Sequence, residues 1–285
     1  MFELSLGLGL AIAITALLAE YIDSSIGMGY GTILTPLLLL FGFEPLQVVP
    51  SILISELITG LLAGFTHHSM GNVDFRPKST NLSVIISKLR ELGVAESFNR
   101  GIPLHLKVVL LIASCSIVGT VGAVLIAITL SKFYLTLYIA LLMLVIGVVI
   151  LATVNRRFDF SWKKVTFLGL IASFNKGISG GGYGPVVTGG QLLAGIDEKN
   201  AVGVTSLAEG LTCFVGILTY LLTAREVDLV LAPYLVIGAI ISVPFAALTV
   251  KKIRGQRLKL LIGLATMILG ILVIVKLVTG APIQT

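Results

Sequence analysis

Ten apolar runs divide this chain, at about 4–22, 32–43, 46–66, 105–130, 133–154, 163–175, 184–195, 199–222, 229–250 and 257–279. A bilayer crossing takes about 20 apolar residues, and six or so of the runs reach that length. In hydrocarbon every backbone N–H and C=O must be bonded within the protein, which leaves only helices and closed barrels. The runs are long and unbroken rather than alternating, so the expectation is helical. Only 12% of the residues are charged, about half the fraction usual in soluble domains. That excludes a soluble enzyme, a disordered chain and a nucleic-acid binder. The two cysteines, Cys115 and Cys213, each lie inside an apolar run, so neither a disulfide framework nor a metal cluster is expected. Glu3 is the only charge ahead of the first run, which is therefore expected to be a retained helix from Leu4 to about Tyr21 and not a cleaved signal.

The chain repeats itself. Residues 27–59, shifted by 153, fall on 180–212 with 11 identities in 33 gapless positions. The matches include a GxGYG motif (Gly27, Gly29, Tyr30, Gly31 with Gly180, Gly182, Tyr183, Gly184) and a glutamate at a common offset, Glu56 with Glu209. A first repeat over 1–155, carrying a polar insertion at 67–104, and a second over 163–285 are expected. Within the insertion Leu82, Ile85, Ile86, Leu89 and Leu92 share one helical face, the pattern of an interfacial amphipathic helix.

Charge sets the orientation. Fifteen of the 20 basic residues lie in 67–107, 156–164 and 251–259, and lysine and arginine near membrane ends favour the cytoplasmic side. Holding all three segments inside requires an odd number of crossings in each repeat, three or five. An odd repeat sits upside down relative to its twin. The expected fold is an all-α polytopic membrane protein of two inverted five-segment repeats with broken or re-entrant short helices, both termini outside.

Between the first two segments of each repeat the sequence breaks, at Ser24–Gly31 and again at Gly177–Pro185. Glycine runs end helices, and Pro185 suits the first turn of the next one. Paired breaks in corresponding halves point to a binding site. The helices restarting near Gly31 and Gly184 present free N–H groups and a positive dipole end. Ser24, Ser25 and Ser179 add hydroxyls, giving an anion-binding arrangement with Gly27, Gly29, Tyr30, Gly180, Gly182 and Tyr183. Close helix packing is the competing use of such small residues.

Asp23, Glu56, Lys176 and Glu209 lie within or beside apolar runs, where a charge needs a cavity or a partner. Lys176 is placed either to meet an anion or to pair with Asp23, its equivalent at offset 153. Asp23, Glu56 and Glu209 are proton-coupling candidates; the glutamates can instead hydrogen-bond the glycine-rich backbone. Asn175 and Gln191 orient a ligand or bond neighbouring helices, and Glu20 is read as lying near the end of the first helix. His67 and His68 read as a polar cap at the membrane surface rather than a metal or proton relay. Trp162 and Tyr134 are expected as interface anchors.

At the stretches SSIGMGYGTILTPLLLLFGFEP (24–45) and SGGGYGPVVTGGQLLAGIDEKNAVGVTSLAEG (179–210) the chain resembles the TauE/SafE family of sulfite and organosulfonate exporters. The resemblance covers nearly the whole chain. It implies a transporter of sulfur-containing anions such as sulfite and sulfoacetate in a prokaryotic inner membrane. The resemblance is to a family that moves them outward in some members and inward in others; export is the direction expected here. An anion channel on the same scaffold is the alternative. An enzyme is not expected, since the sequence has no HExxH or Walker motif. The expected partners are a small anionic substrate and the lipid bilayer, with no nucleic acid and no cofactor; a homo-oligomer stays open.

Overall fold

The computed structural model describes residues 5–79, 87, 90, 91, 96, 100–153, 161–193, 196–224, 226–250 and 255–279. The stripe at 82–92 and most of the 155–162 linker lie outside the described residues. Among the described residues ten helices follow one another: α1 (Leu6–Ile26), α2 (Tyr30–Leu40), α3 (Pro45–Ser69), α4 (Leu104–Ala127), α5 (Lys132–Thr153), α6 (Trp162–Ser179), α7 (Tyr183–Leu193), α8 (Glu198–Thr223), α9 (Ala232–Thr249) and α10 (Gly255–Thr279). Seven of them, all but α2, α6 and α7, are long and apolar enough to cross a membrane.

The outer surface is apolar. Leu6, Leu10, Ile14 and Leu18 form an exposed stripe on α1, and Ile237, Ile241, Phe245 and Leu248 form another on α9. Patches of this extent on a water-facing surface would be an aggregation hazard; lipid covers them at no cost. The polar residues are instead inside, and Glu20, Asp23, Glu56, Lys176 and Glu209 are all buried.

Two breaks divide the inner helices. α1 continues through Asp23, Ser24 and Ser25 and ends at Ile26, where Gly27 closes it at φ 75°. α6 continues through Gly177 and ends at Ser179, where Gly180 closes it at φ 70°. The breaks are therefore shorter than the sequence suggests. Gly177 stays helical because it packs on α4, where an added Cβ would lie 2.9 Å from the Thr120 carbonyl. Left-handed caps of this kind favour glycine, which pays no Cβ penalty there.

Helix directions follow from the contacts. α3 and α8 cross at Gly60 and Gly210; Gly64 meets Leu207, and Gly216 meets Leu53. Ascending α3 means descending α8, so the two run antiparallel. α5 and α10 do the same, through Gly147 with Met267, Gly263 with Leu151 and Gly270 with Leu144. α1 runs parallel to α9, from Gly9 with Tyr234 to Tyr21 with Thr249. α6 runs parallel to α4, from Thr166 with Cys115 to Ser173 with Thr120. The first helix of each half thus packs on the fourth helix of the other.

The bundle has two distinct ends. One end gathers Glu44, Lys132 and the α8–α9 loop: Lys132 Nζ bonds Glu44 at 2.8 Å and Gln47 Nε2 bonds Asp228 at 2.7 Å. There the Lys276 ammonium caps α2 by donating to the carbonyls of Leu39 and Leu40, as cations do at helix C-termini. The other end holds a pocket of about 870 Å³ lined by His68, Asn72, Asp74, Arg76, His105, Asp197 and Lys199 among others. α1 starts and α2 finishes at the first end. α6 starts and α7 finishes at the second, so each pair enters and returns.

Candidate functional site

The two breaks meet back to back in the buried centre. An added Cβ at Gly31 would strike the Gly180 carbonyl, one at Gly184 would strike the Gly27 carbonyl, and one at Gly181 would lie 2.6 Å from the Gly31 carbonyl. Only glycine admits this approach. Cross-bonds repeat the relation: Thr35 Oγ1 donates to the Ser179 carbonyl at 2.8 Å, and Thr188 Oγ1 donates to the Gly27 carbonyl at 2.6 Å. Thr35 and Thr188 are equivalents at offset 153.

Some of the N–H groups at the breaks are already used. Tyr30 N–H, at the start of α2, donates to Asp23 Oδ1 at 3.2 Å. Gly182 N–H donates to Thr32 Oγ1 at 3.1 Å, and Gly181 N–H to Ser179 Oγ at 3.1 Å. Tyr30 OH and Ser55 Oγ share a hydrogen bond of 2.7 Å. In the other half Tyr183 OH accepts from Thr212 Oγ1 at 3.3 Å. Asn175 is buried with its Cβ region against Gly182. The Ser25 hydroxyl is buried and has no partner among the described residues.

Beside the breaks lies an ion triad. Lys176, fully buried, donates to Glu56 Oε2 and to Glu209 Oε1, the latter at 2.7 Å. The two glutamates are equivalents of each other in the repeat, so one lysine is clasped by a residue and its twin. Of the two sequence alternatives for Lys176, the partner realised is this pair of glutamates and not Asp23. An ammonium has three donors; two are used here among the described residues. Glu56 Oε1 is buried and unbonded. A buried ion pair needs its remaining donors and acceptors satisfied to repay desolvation, so the spare groups are where a polar guest gains most. Among the described residues no cluster of His, Cys, Asp or Glu is placed to hold a metal.

The family model described as sulfite exporter TauE/SafE matches residues 12–87 and 79–273. The chain belongs to the TauE/SafE family. It is similar to the probable membrane transporter protein YtnM of Bacillus subtilis (strain 168), at 28% identity over 269 residues, covering 89% of this chain and 78% of that one. No solved structure matches the chain. With the membership and the seven long apolar helices, the protein is a multi-pass membrane transporter, a class distinct from enzymes.

Two positions in this TauE/SafE protein, His67 and Glu20, depart from the sequence reading. Gln191 follows the second of its two sequence alternatives: its Nε2 stands within bonding distance of Val187 O, Ala201 O and Thr205 Oγ1 and ties α7 to α8. His67 is no surface cap but is fully buried. Its Nε2 meets the Ser24 carbonyl at 2.8 Å and its Nδ1 meets Asn72 Nδ2 at 3.0 Å. A carbonyl only accepts and an amide NH₂ only donates, so Nε2 carries the hydrogen. Glu20 lies within α1, not near its end, and is buried, with Ser24 Oγ on Oε1 at 2.6 Å and Thr59 Oγ1 on Oε2 at 3.1 Å.

Proposed function

We propose that this protein is a secondary transporter of small sulfur-containing oxyanions, sulfite and organosulfonates such as sulfoacetate, working as an exporter by alternating access. The observation that carries the reading is the pair of glycine breaks crossed in the buried centre beside Lys176. Two helix starts, the unpartnered Ser25 hydroxyl and one spare ammonium N–H lie there, the chemistry of an oxyanion seat. The substrate class agrees with the family's description.

The two halves, 1–155 and 163–285, act as inverted repeats of three full crossings and one re-entrant pair each. The antiparallel packing of α3 on α8 and of α5 on α10 supports this, because each pair unites equivalent helices. The pocket end, which carries Arg76, Lys107, Lys163 and Lys164, faces the cytoplasm of a prokaryotic cell; both chain ends then lie outside. The seat comprises Ser24, Ser25, Gly27, Gly29, Tyr30, Asn175, Lys176, Ser179, Gly180, Gly182 and Tyr183. A proton carried by a buried carboxyl drives the movement, with Asp23, Glu56 and Glu209 the candidates that the sequence offers. A family of transporters disfavours the channel alternative.

Purified protein in liposomes loaded with sulfite should exchange it for external labelled sulfite, with sulfoacetate competing. Bulky replacements at Gly29 (φ 144°) or Gly182 (φ 74°) should abolish that exchange in protein that still elutes as a folded species. Exchange that survives both replacements refutes this seat. Currents far above carrier turnover, without exchange, would establish the channel.

A further inference from the structure

Four carboxyl groups and one lysine are buried together in the centre, and their partners differ. Glu56 and Glu209 share Lys176. Asp23 accepts from the first N–H of α2, a helix start that favours negative charge. Glu20 meets hydroxyls, Ser24 on one oxygen and Thr59 on the other. The Thr59 hydroxyl also stands 3.1 Å from the Ser55 carbonyl. A hydroxyl has one hydrogen and cannot donate to both. Either Thr59 donates to a Glu20 carboxylate, or a protonated Glu20 Oε2 donates to Thr59 and Thr59 donates to Ser55; the second arrangement satisfies the Ser55 contact as well. A buried carboxyl with no cation of its own is also the cheapest place in the cluster to hold a proton.

We propose that Glu20 is the proton-binding site that couples transport. This rests on the transport reading above and assigns its proton to a residue outside the three that the sequence suggests. Asn72, which lines the pocket at one end of the bundle, bonds His67; His67 bonds the Ser24 carbonyl; and the Ser24 hydroxyl bonds Glu20. This packed polar column holds the Glu20 turn in place and, because a carbonyl only accepts, is not itself a proton path. The second half keeps the scaffold of this chain but not its acid. Tyr220, the offset equivalent of His67, donates to the carbonyl of Gly177, the equivalent of Ser24, at 3.0 Å. The equivalent of Glu20 is Ser173. Capping a broken helix therefore needs neither an acid nor an imidazole, and these two groups are additions on one side only. Titratable groups surround Glu20 from each packed element: Asp23 on α1, Tyr30 on α2, Glu56 and His67 on α3, and Glu209 on α8, with Lys176 on α6 beyond the glutamates. α9 carries no charged residue.

The test is Glu20→Gln, whose amide donates to Thr59 and accepts from Ser24 as a protonated acid does. In liposomes with sulfite as the probe, the variant should keep sulfite–sulfite exchange and lose accumulation driven by an imposed pH gradient. Its infrared spectrum should lack one protonated-carboxyl C=O band that the parent shows and that shifts in D₂O. Accumulation at the parent's level, loss of exchange together with accumulation in folded protein, or a parent driven by sodium and not by pH would each overturn the proposal, as would an unchanged carboxyl band. If the parent moves no sulfite, the substrate reading fails, and the infrared comparison still decides whether Glu20 holds the proton.

Discussion

At the scale of single residues, Lys176 carries the heaviest electrostatic load. Removing one partner of a buried ion pair typically costs about 3–5 kcal/mol, because the other is left uncompensated. Lys176→Ala should therefore lower the unfolding temperature in detergent markedly. Adding Glu209→Gln to it should recover part of the loss, since the neutral amide no longer needs a counter-charge. A double variant no more stable than the single one would show that the triad does not act as a unit. The sequence marked Lys176, Glu56 and Glu209 as buried but did not join them. Glu56 lies 120 residues from Lys176 along the chain, and the depth of a residue in an apolar run says nothing about which helix it faces. His67 and Glu20 were misplaced for a simpler reason. Both helices outrun their apolar stretches, α1 to Ile26 and α3 to Ser69, because polar residues in the final turns find partners inside the protein. The one available signal was that His67 aligns with Tyr220 at offset 153, an equivalence that identity scoring passes over.

At the scale of elements, the glycines divide into those that make a contact possible and those that do not. Gly31 starts α2 directly under the Gly180 carbonyl, and an added methyl has backbone, not a flexible side chain, in its way. Overpacking of a tight core costs about 1–3 kcal/mol, and a backbone obstacle puts Gly31→Ala at the upper end of that range. Gly189 lies inside α7 with nothing within 4 Å of the added Cβ. Glycine is about 1 kcal/mol less favourable than alanine in a helix interior, so Gly189→Ala should raise stability by about that much. Thermal unfolding of the two variants side by side checks both signs, and equal effects would contradict the crossed-break geometry. This contrast was half legible beforehand. The GxGYG motifs announced the breaks, since matching glycines at a fixed offset are rare by chance. Which glycine touches which backbone depends on how two distant segments cross, and no local pattern records that.

At the scale of the whole molecule, the repeat makes its sharpest demand at the helix starts. Glu44 precedes α3 and Asp197 precedes α8, and the two are equivalents at offset 153. Both are exposed. In a parallel duplication they would share a side of the membrane; in an inverted one they face opposite sides. The structure places Glu44 beside Lys132 and Asp197 in the lining of the pocket at the other end of the bundle. The cysteines already present, Cys115 and Cys213, are buried and give little background to a thiol reagent. In whole cells a membrane-impermeant maleimide should label Glu44→Cys and leave Asp197→Cys untouched until the membrane is opened. Each substitution removes a helix cap worth about 1 kcal/mol, too little to unfold the protein. Labelling of both from the same side would end the inverted arrangement. Labelling of Asp197→Cys alone would keep the inversion and reverse the orientation, which would mean that the clustered lysines and arginines do not set the topology of this chain.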